Sequence, residues 1–560
     1  MYLFHFLRSF LPLRNPIGFG VSDFVEFAIT LLLVGLLFGW AWTGGWFRTL
    51  AMHARACIVL IGLLPIVLRL FLLPHCPAPV PAGADDFGYI LLGDTLAHFR
   101  LANPPHALSQ FFEAVFVLQQ PTYSSIFPLG QGLFLAFGRL LFGSFWAGVL
   151  ISTSLLCASC YWMLRGWLSP QWALLGGFVA VMEFGPLCQW TNSYWGGNVS
   201  AVAGCLVFGA LPRLRFGAWL AWLALGFGFA LELLTRPFEF WLLLASVALY
   251  LAWVQRVGVS RGTRRRVAVA GAILLAAVLL SAAQNKAVTG SWTTLPYALS
   301  RYQYGVPTTL TFQANPAPHR ALTAEQELDY SAQAAVHGDS NESAGAFLSR
   351  LGFRVRYYRF FLVAPLYVAV VAFLVTARTR RDWWIVAAVA MFALGTNLYP
   401  YFYPQYVAAE ACLFVLIAVR GLERICDWKP QIGRLVVLFC GVQFFFWYGL
   451  HALAGENLWD AFHYEAGDFV NYGDPEGRIA VQEKLNAEPG QQLVFVRYWA
   501  GHEFREWVHN AADIDGARVV WALDLGDAEN AKLLSYYPKR RAWLLEPDAR
   551  PVRLTAYSGE

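Results

Sequence analysis

Charge is what this sequence has least of. Only 14% of its 560 residues are Asp, Glu, Lys or Arg, where soluble domains carry about 25%. That shortage excludes an ordinary soluble globular chain. The uncharged runs reach the roughly 20 residues that cross a bilayer core, so the class is a polytopic membrane protein. No small-residue cleavage site follows Arg8 and Arg14, and a cleavable signal peptide is not expected. No internal repeat is evident, which counts against a transporter built from two related halves. The nine cysteines lie mostly within apolar runs. Cys157 and Cys160 form a CxxC, but in the middle of an expected membrane helix, and read as small packing residues. The net charge of +5 comes from arginines flanking apolar runs and does not point to nucleic acid.

What the chain has instead is apolar length. Helices are expected at 24–42, 56–73, 145–166, 171–188, 194–211, 216–234, 237–255, 266–285, 352–377, 382–398, 402–420 and 432–450. Two hydrophilic stretches, 74–128 and 286–350, and a polar tail, 451–560, interrupt or follow them. Arg256, Arg261, Arg264, Arg265 and Arg266 mark one connection, and Arg378, Arg380 and Arg381 another. If these are cytoplasmic, alternation places both hydrophilic stretches and the tail on the outer side. The short apolar segment 129–143 cannot span without inverting all that follows. It reads as a helix lying in the interface, with Arg139 snorkelling. One conflict remains: Arg350, Arg354, Arg356 and Arg359 fall on the outer side. The tail contains "QQLVFVRYW", "ARVVWALDL" and "RAWLLEPD", strand-like runs of a small α/β module. Its His502, Glu503 and His509 read as surface or packing residues.

The first hydrophilic stretch carries "AGADDFGYILLGDTLAHFR" at 82–100. Asp85 and Asp86 follow the second apolar run, where a carboxylate is costly unless hydrated, paired or functional. By residue type alone they could simply open a solvated helix. Asp94 and His98 come soon after. Within the apolar part, Glu232, Arg236 and Glu239 are spaced to share a helix side, with Pro237 expected to break it. They read either as a structural ion pair or as a cavity wall. "QWTNSYWGGN" (189–198) combines rings, amides and glycines suited to a sugar or to close helix packing.

An acidic pair opening the first large outer loop, with Tyr89 soon after in "DDFGY" and an in-plane helix beyond it, resembles the GT-C membrane glycosyltransferases. The likeness is to the dolichyl-phosphate-mannose protein mannosyltransferase and aminoarabinose-transferase-like family, bacterial members included. "QQPTYSSIFPLGQG", "NSYWGG", "TRPFE" and "RYQYGVP" carry it further. Ile126 stands where that family often has a lysine. The resemblance implies a GT-C-like domain over 1–450, with about 11–13 transmembrane helices, and a small extracytoplasmic α/β domain over 451–560, in a bacterial inner membrane. It implies inverting transfer of a sugar from a polyprenyl-phosphate donor to an acceptor whose identity is open. Asp85 would be the base, and Asp86 would tune it or bind the acceptor. The pair could also ligate a divalent cation, Mg or Mn. The leaving phosphate needs cations, for which Arg301, His319, Arg320, Arg354, Arg356 and Arg359 are candidates. Binding of bulk anionic lipid is the plainer reading of that group. Tyr89, Asp94, His98, Tyr123, Asn192, Tyr194, Trp195 and Arg236 complete the expected substrate-binding set. A transporter or flippase, and a non-catalytic membrane assembly protein, are the competing readings.

Overall fold

The computed structural model describes residues 21–43, 45–81, 83–255, 261–338, 342–453, 477–502 and 505–558. Arg256, Glu503 and the start of the expected tail domain lie outside them. Six described helices are long and apolar enough to cross a membrane: Ala54–Phe71, Phe145–Trp167, Asn198–Phe216, Arg261–Thr289, Pro404–Trp428 and Pro430–Gly449. Shorter apolar helices include Phe27–Gly39, Trp219–Thr235 and Pro237–Trp253. The chain is an integral membrane protein, with apolar side chains such as Leu220, Trp241 and Val375 facing outward.

The 352–377 region departs from expectation. Its helix ends at Arg354, a tighter turn follows to Phe361, and Tyr367–Thr376 resumes after a 114° bend. Pro365 lies at the start of the second piece, where its ring is tolerated and a continuous helix is not. The stretch 129–143, expected to lie in the interface, forms a helix at Leu129–Phe142. Its Leu133, Phe137, Leu140 and Leu141 are exposed while Leu135 and Ala136 are buried. Arg139 closes the helix by donating to the Gly143 carbonyl at 2.7 Å. A Cβ on Gly138 would fall onto the Gly148 backbone, so this helix lies directly on Phe145–Trp167.

The arginine connections gather on one face. Arg213 lies beside Arg165, and Arg215 and Arg381 both flank Tyr250. Arg266 covers the Trp219 ring, and Arg380 donates to the Trp253 carbonyl. The first hydrophilic stretch packs instead on the C-terminal α/β unit. That unit has strands ordered Val519–Leu523, Gln492–Val496, Arg541–Glu546 and Arg553–Ala556, the first three parallel and the last antiparallel. Gln492–Val496 is buried along its whole length, as a central parallel strand requires. Leu493, Phe495, Val520 and Ala522 share one apolar cluster with Leu91, Phe111, Phe112 and Tyr123 of the loop. The tail is therefore not a separate bead: one face of its sheet is completed by the membrane domain. All nine cysteines are unpaired thiols, and Cys157 and Cys160 are fully buried packing residues.

Candidate active site

The acidic pair sits in the first turn of the helix Ala84–Ala97, where carboxylates favour the N-terminal dipole. Residues 85 and 89 lie one turn apart and share a face, while 87 and 91 look the other way. Gly88 has no Cβ, and one built there would strike the Phe127 ring. That space lets Phe127 stack on Tyr89 with ring centroids 4.1 Å apart.

Tyr89 opens onto a cavity of about 440 Å³, whose walls include Phe127, Arg236, Glu239, Tyr297, Arg301, Tyr399 and Tyr406. Asp85 acts electrostatically on Tyr297, Tyr399 and Tyr406. Burial pushes its carboxyl up from 3.8 to about 7, Asp86 adds to this, and Arg236 opposes it. Arg236 is placed by Pro237. The residue before a proline is excluded from helical backbone; Arg236 takes φ −138°, ψ 79° between Trp219–Thr235 and Pro237–Trp253. Its guanidinium rests 4.9 Å from the Tyr406 ring centroid, with Glu239 nearby. Arg301 is held on the far side by the carbonyls of Pro307 and Thr308, at 3.1 and 3.2 Å.

The other expected site residues divide into scaffolding and distant groups. Asp86 accepts from the Tyr194 backbone N–H at 2.9 Å, and the Tyr194 hydroxyl donates to Pro79. Asn192 is spent inside the protein: Arg69 donates to its oxygen, and its amide donates to the carbonyls of Pro186 and Cys188. It offers nothing to a sugar. Gly196 and Gly197 have φ +79° and +142° and make room for Gln131 and Trp190, not for a ligand. Trp195 meets Tyr403 edge-on at 4.9 Å.

Asp94 accepts from the Ala512 N–H at 2.7 Å, and the Tyr123 hydroxyl donates to the Asn510 carbonyl at 3.0 Å. These two join the loop to the C-terminal unit. His98 donates to the Asp94 carbonyl.

The expected arginine group does not assemble at the cavity. Arg320 pairs with buried Glu113 and the Tyr304 hydroxyl, and His319 stacks on Tyr302. Arg350 pairs with Glu342. Arg354 donates to the carbonyls of Thr396, Tyr399 and Pro400 at 2.9, 2.7 and 2.6 Å, closing the end of Arg380–Thr396 as cations do. Arg356 folds over Phe353, and Arg359 lies beside Tyr367. Two of the four arginines in the charge conflict, Arg350 and Arg354, thus tie down a broken helix. Of the expected cations, Arg236 and Arg301 line the cavity.

Sequence reasoning missed Tyr297, Tyr399 and Tyr406. The Tyr- and Pro-rich "NLYPYFYPQY" at 397–406 was the available signal for two of them. For a divalent cation the fit is poor. Asp86 is engaged by Tyr194, Asp85 faces a guanidinium, and among the described residues no group of three His, Cys, Asp or Glu could hold a metal.

No family model matches the chain, and no curated protein matches it. Solved structures are similar to it. One is ArnT from Cupriavidus metallidurans bound to undecaprenyl phosphate, 12% identical with TM-score 0.49, covering 87% of this chain and 93% of that one. The apo ArnT structure gives 14% identity, TM-score 0.48 and coverages of 88% and 93%. The Archaeoglobus fulgidus oligosaccharyltransferase in complex with Zn and sulfate gives 12%, 0.46, 88% and 67%. Likeness at this level does not by itself assign an activity.

Proposed function

We propose that this chain is a GT-C membrane glycosyltransferase, moving a sugar from a polyprenyl-phosphate-linked donor to an acceptor hydroxyl on the face that carries the C-terminal unit. The observation that carries this reading is a single juxtaposition. Asp85, with its carboxyl raised to about 7, feels the charge of Arg236, and Arg236 lines a ring-walled cavity that the Asp85 helix reaches one turn on, at Tyr89. The pairing supplies both charges the reaction needs. Asp85 takes the proton of the acceptor hydroxyl as that oxygen bonds to the anomeric carbon. The bond from that carbon to the phosphate oxygen breaks, and its electron pair leaves on the phosphate, whose charge Arg236 offsets. Attack opposite the leaving group inverts the anomeric centre. A base with pKa near the working pH combines availability with strength.

The cavity suits such a donor in other respects. Arg301 faces the phosphate from a second wall. Trp241, 65% exposed on a membrane helix, borders the cavity and marks a path toward lipid for the prenyl tail. Undecaprenyl phosphate, named for one similar structure, belongs to this chemical class. The arginine-rich face supports an extracytoplasmic position for the site. Among the described residues the acidic pair has no third carboxylate, imidazole or thiolate grouped with it for a metal, and the roles above belong to the side chains themselves.

The test is sugar transfer in lipid nanodiscs from a radiolabelled polyprenyl-phosphate sugar. Label leaving the lipid with wild-type protein, but not with Asp85→Asn, is the expected result. Intact donor crossing the bilayer without cleavage would establish the flippase reading instead.

A further inference from the structure

The helix that presents Asp85 to the donor cavity has a second face. Two residues on, Phe87 borders a separate cleft of about 310 Å³, closed on its other sides by Val80, Pro81, Arg478, Gln482, Trp507, His509 and Trp521. A volume near 300 Å³ is at the small end of ligand sites. The wall is a stack: Phe87 lies on His509 at 3.8 Å between centroids, and His509 on Trp521 at 5.7 Å.

Arg478 of this wall is engaged, donating to the Glu506 carbonyl. The indole N–H groups of Trp507 and Trp521 make no hydrogen bond among the described residues, although the two side chains are only 3% and 5% exposed. His509 Nδ1 donates to the Trp507 carbonyl at 2.9 Å. A carbonyl can only accept, so this bond fixes the tautomer and leaves Nε2 a bare acceptor. Burial, with Arg478 nearby, lowers the His509 pKa to about 3, so Nε2 stays unprotonated in neutral solution. Two donors, one acceptor, ring faces, and the Gln482 amide and Glu483 carboxylate at the rim match a hydroxyl-rich ring. They do not match an alkyl chain, and the one cation of the wall, Arg478, is stacked on Phe87 and Trp507.

We propose that this cleft binds the acceptor as a saccharide, with sugar hydroxyls accepting from Trp507 and Trp521 Nε1 and donating to His509 Nε2. This rests on the glycosyltransferase reading. The cleft and the donor cavity border the first two turns of one helix, so a chain seated in the cleft has its next hydroxyl close to the acidic pair.

The full-length protein in nanodiscs is screened on a glycan array of neutral, amino and acidic sugars, with Ser/Thr peptides as a second class. The bound oligosaccharide is then titrated by calorimetry. Expected is saccharide binding by wild type. His509→Phe and Trp521→Phe, which keep the stack, should bind about tenfold more weakly, one hydrogen bond each. Polyprenyl-phosphate binding should be unchanged in both variants. Binding of peptides only, no array binding, or equal affinity in the stack variants overturns the saccharide site. Saccharide binding without any donor cleavage by wild type overturns its role as acceptor site and the donor reading together.

Discussion

Replacing Asp85 by Asn should do two opposite things. The carboxyl is held at about 7 where an unfolded chain has 3.8. That gap is worth about 4 kcal/mol against the ionised form. The sign follows from linkage. A carboxyl raised on folding imposes no penalty below 3.8. It takes stability away progressively as pH climbs, until the folded form also ionises near 7. Asn has the same shape and never ionises. The variant should therefore gain under about 2 kcal/mol at pH 5 and up to about 4 kcal/mol at pH 8 over wild type. It should lose about 10²–10⁴-fold in transfer at pH 7 and above, the scale of a general base, and progressively less as pH falls and the wild-type carboxyl is itself protonated. The assay is thermal unfolding of purified wild type and Asp85→Asn in one detergent at pH 4, 5, 6, 7 and 8, with transfer measured on the same samples. Unfolding midpoints that differ by the same amount at every pH would refute the idea that burial strains this carboxylate. Wild-type turnover in a stabilised Asp85→Asn would separate the strain from catalysis and remove Asp85 as the base.

Arg236 and Asp86 should move the pH profile of transfer in opposite directions. Arg236→Gln removes the charge that lowers the Asp85 pKa, so the rising limb shifts to higher pH and donor affinity falls. Asp86→Asn removes a like charge and keeps an acceptor for Tyr194, so its limb shifts to lower pH; shifts in one direction for both would refute this electrostatic picture. Arg354→Met should lower the unfolding midpoint by loss of three carbonyl contacts, each about 1 kcal/mol, with donor affinity unchanged in calorimetry. A donor affinity that falls while the midpoint holds would return Arg354 to the phosphate site. Gly88→Val places carbon in the Phe127 ring and should cost transfer through a displaced Tyr89, read as loss of turnover in protein that still elutes as a single species. Normal turnover would show that the stack does not position the site.

Most of the membrane helices were written in the sequence, because apolar length and arginine flanks report a local quantity, the free energy of leaving water. Phe145–Trp167 and Pro430–Leu453 lie within a few residues of where hydropathy put them. The short helix Leu129–Phe142 was legible as a helix for the same reason. The broken helix near Arg354 was not. Whether a run continues through Pro365 depends on what the broken piece packs against, and Arg354 ties it to the end of a distant helix through the carbonyls of Thr396, Tyr399 and Pro400.

For the site, the sequence singled out Asp85, Asp86 and Arg236 by charge placed against apolar context, and Tyr89 by the resemblance of "DDFGY" to a known family. It could not decide which carboxylate of the pair is strained and which is a tie, since that depends on one N–H, that of Tyr194. Nor could it sort the arginines. Guanidinium groups of equal charge serve a cavity or a helix end according to which carbonyls and carboxylates lie within reach, and those come from residues far away in the chain. The cleft at His509 was invisible for the same physical reason. His509 and Phe87 are separated by hundreds of residues, and only packing of the C-terminal sheet on the acidic helix brings their rings to 3.8 Å.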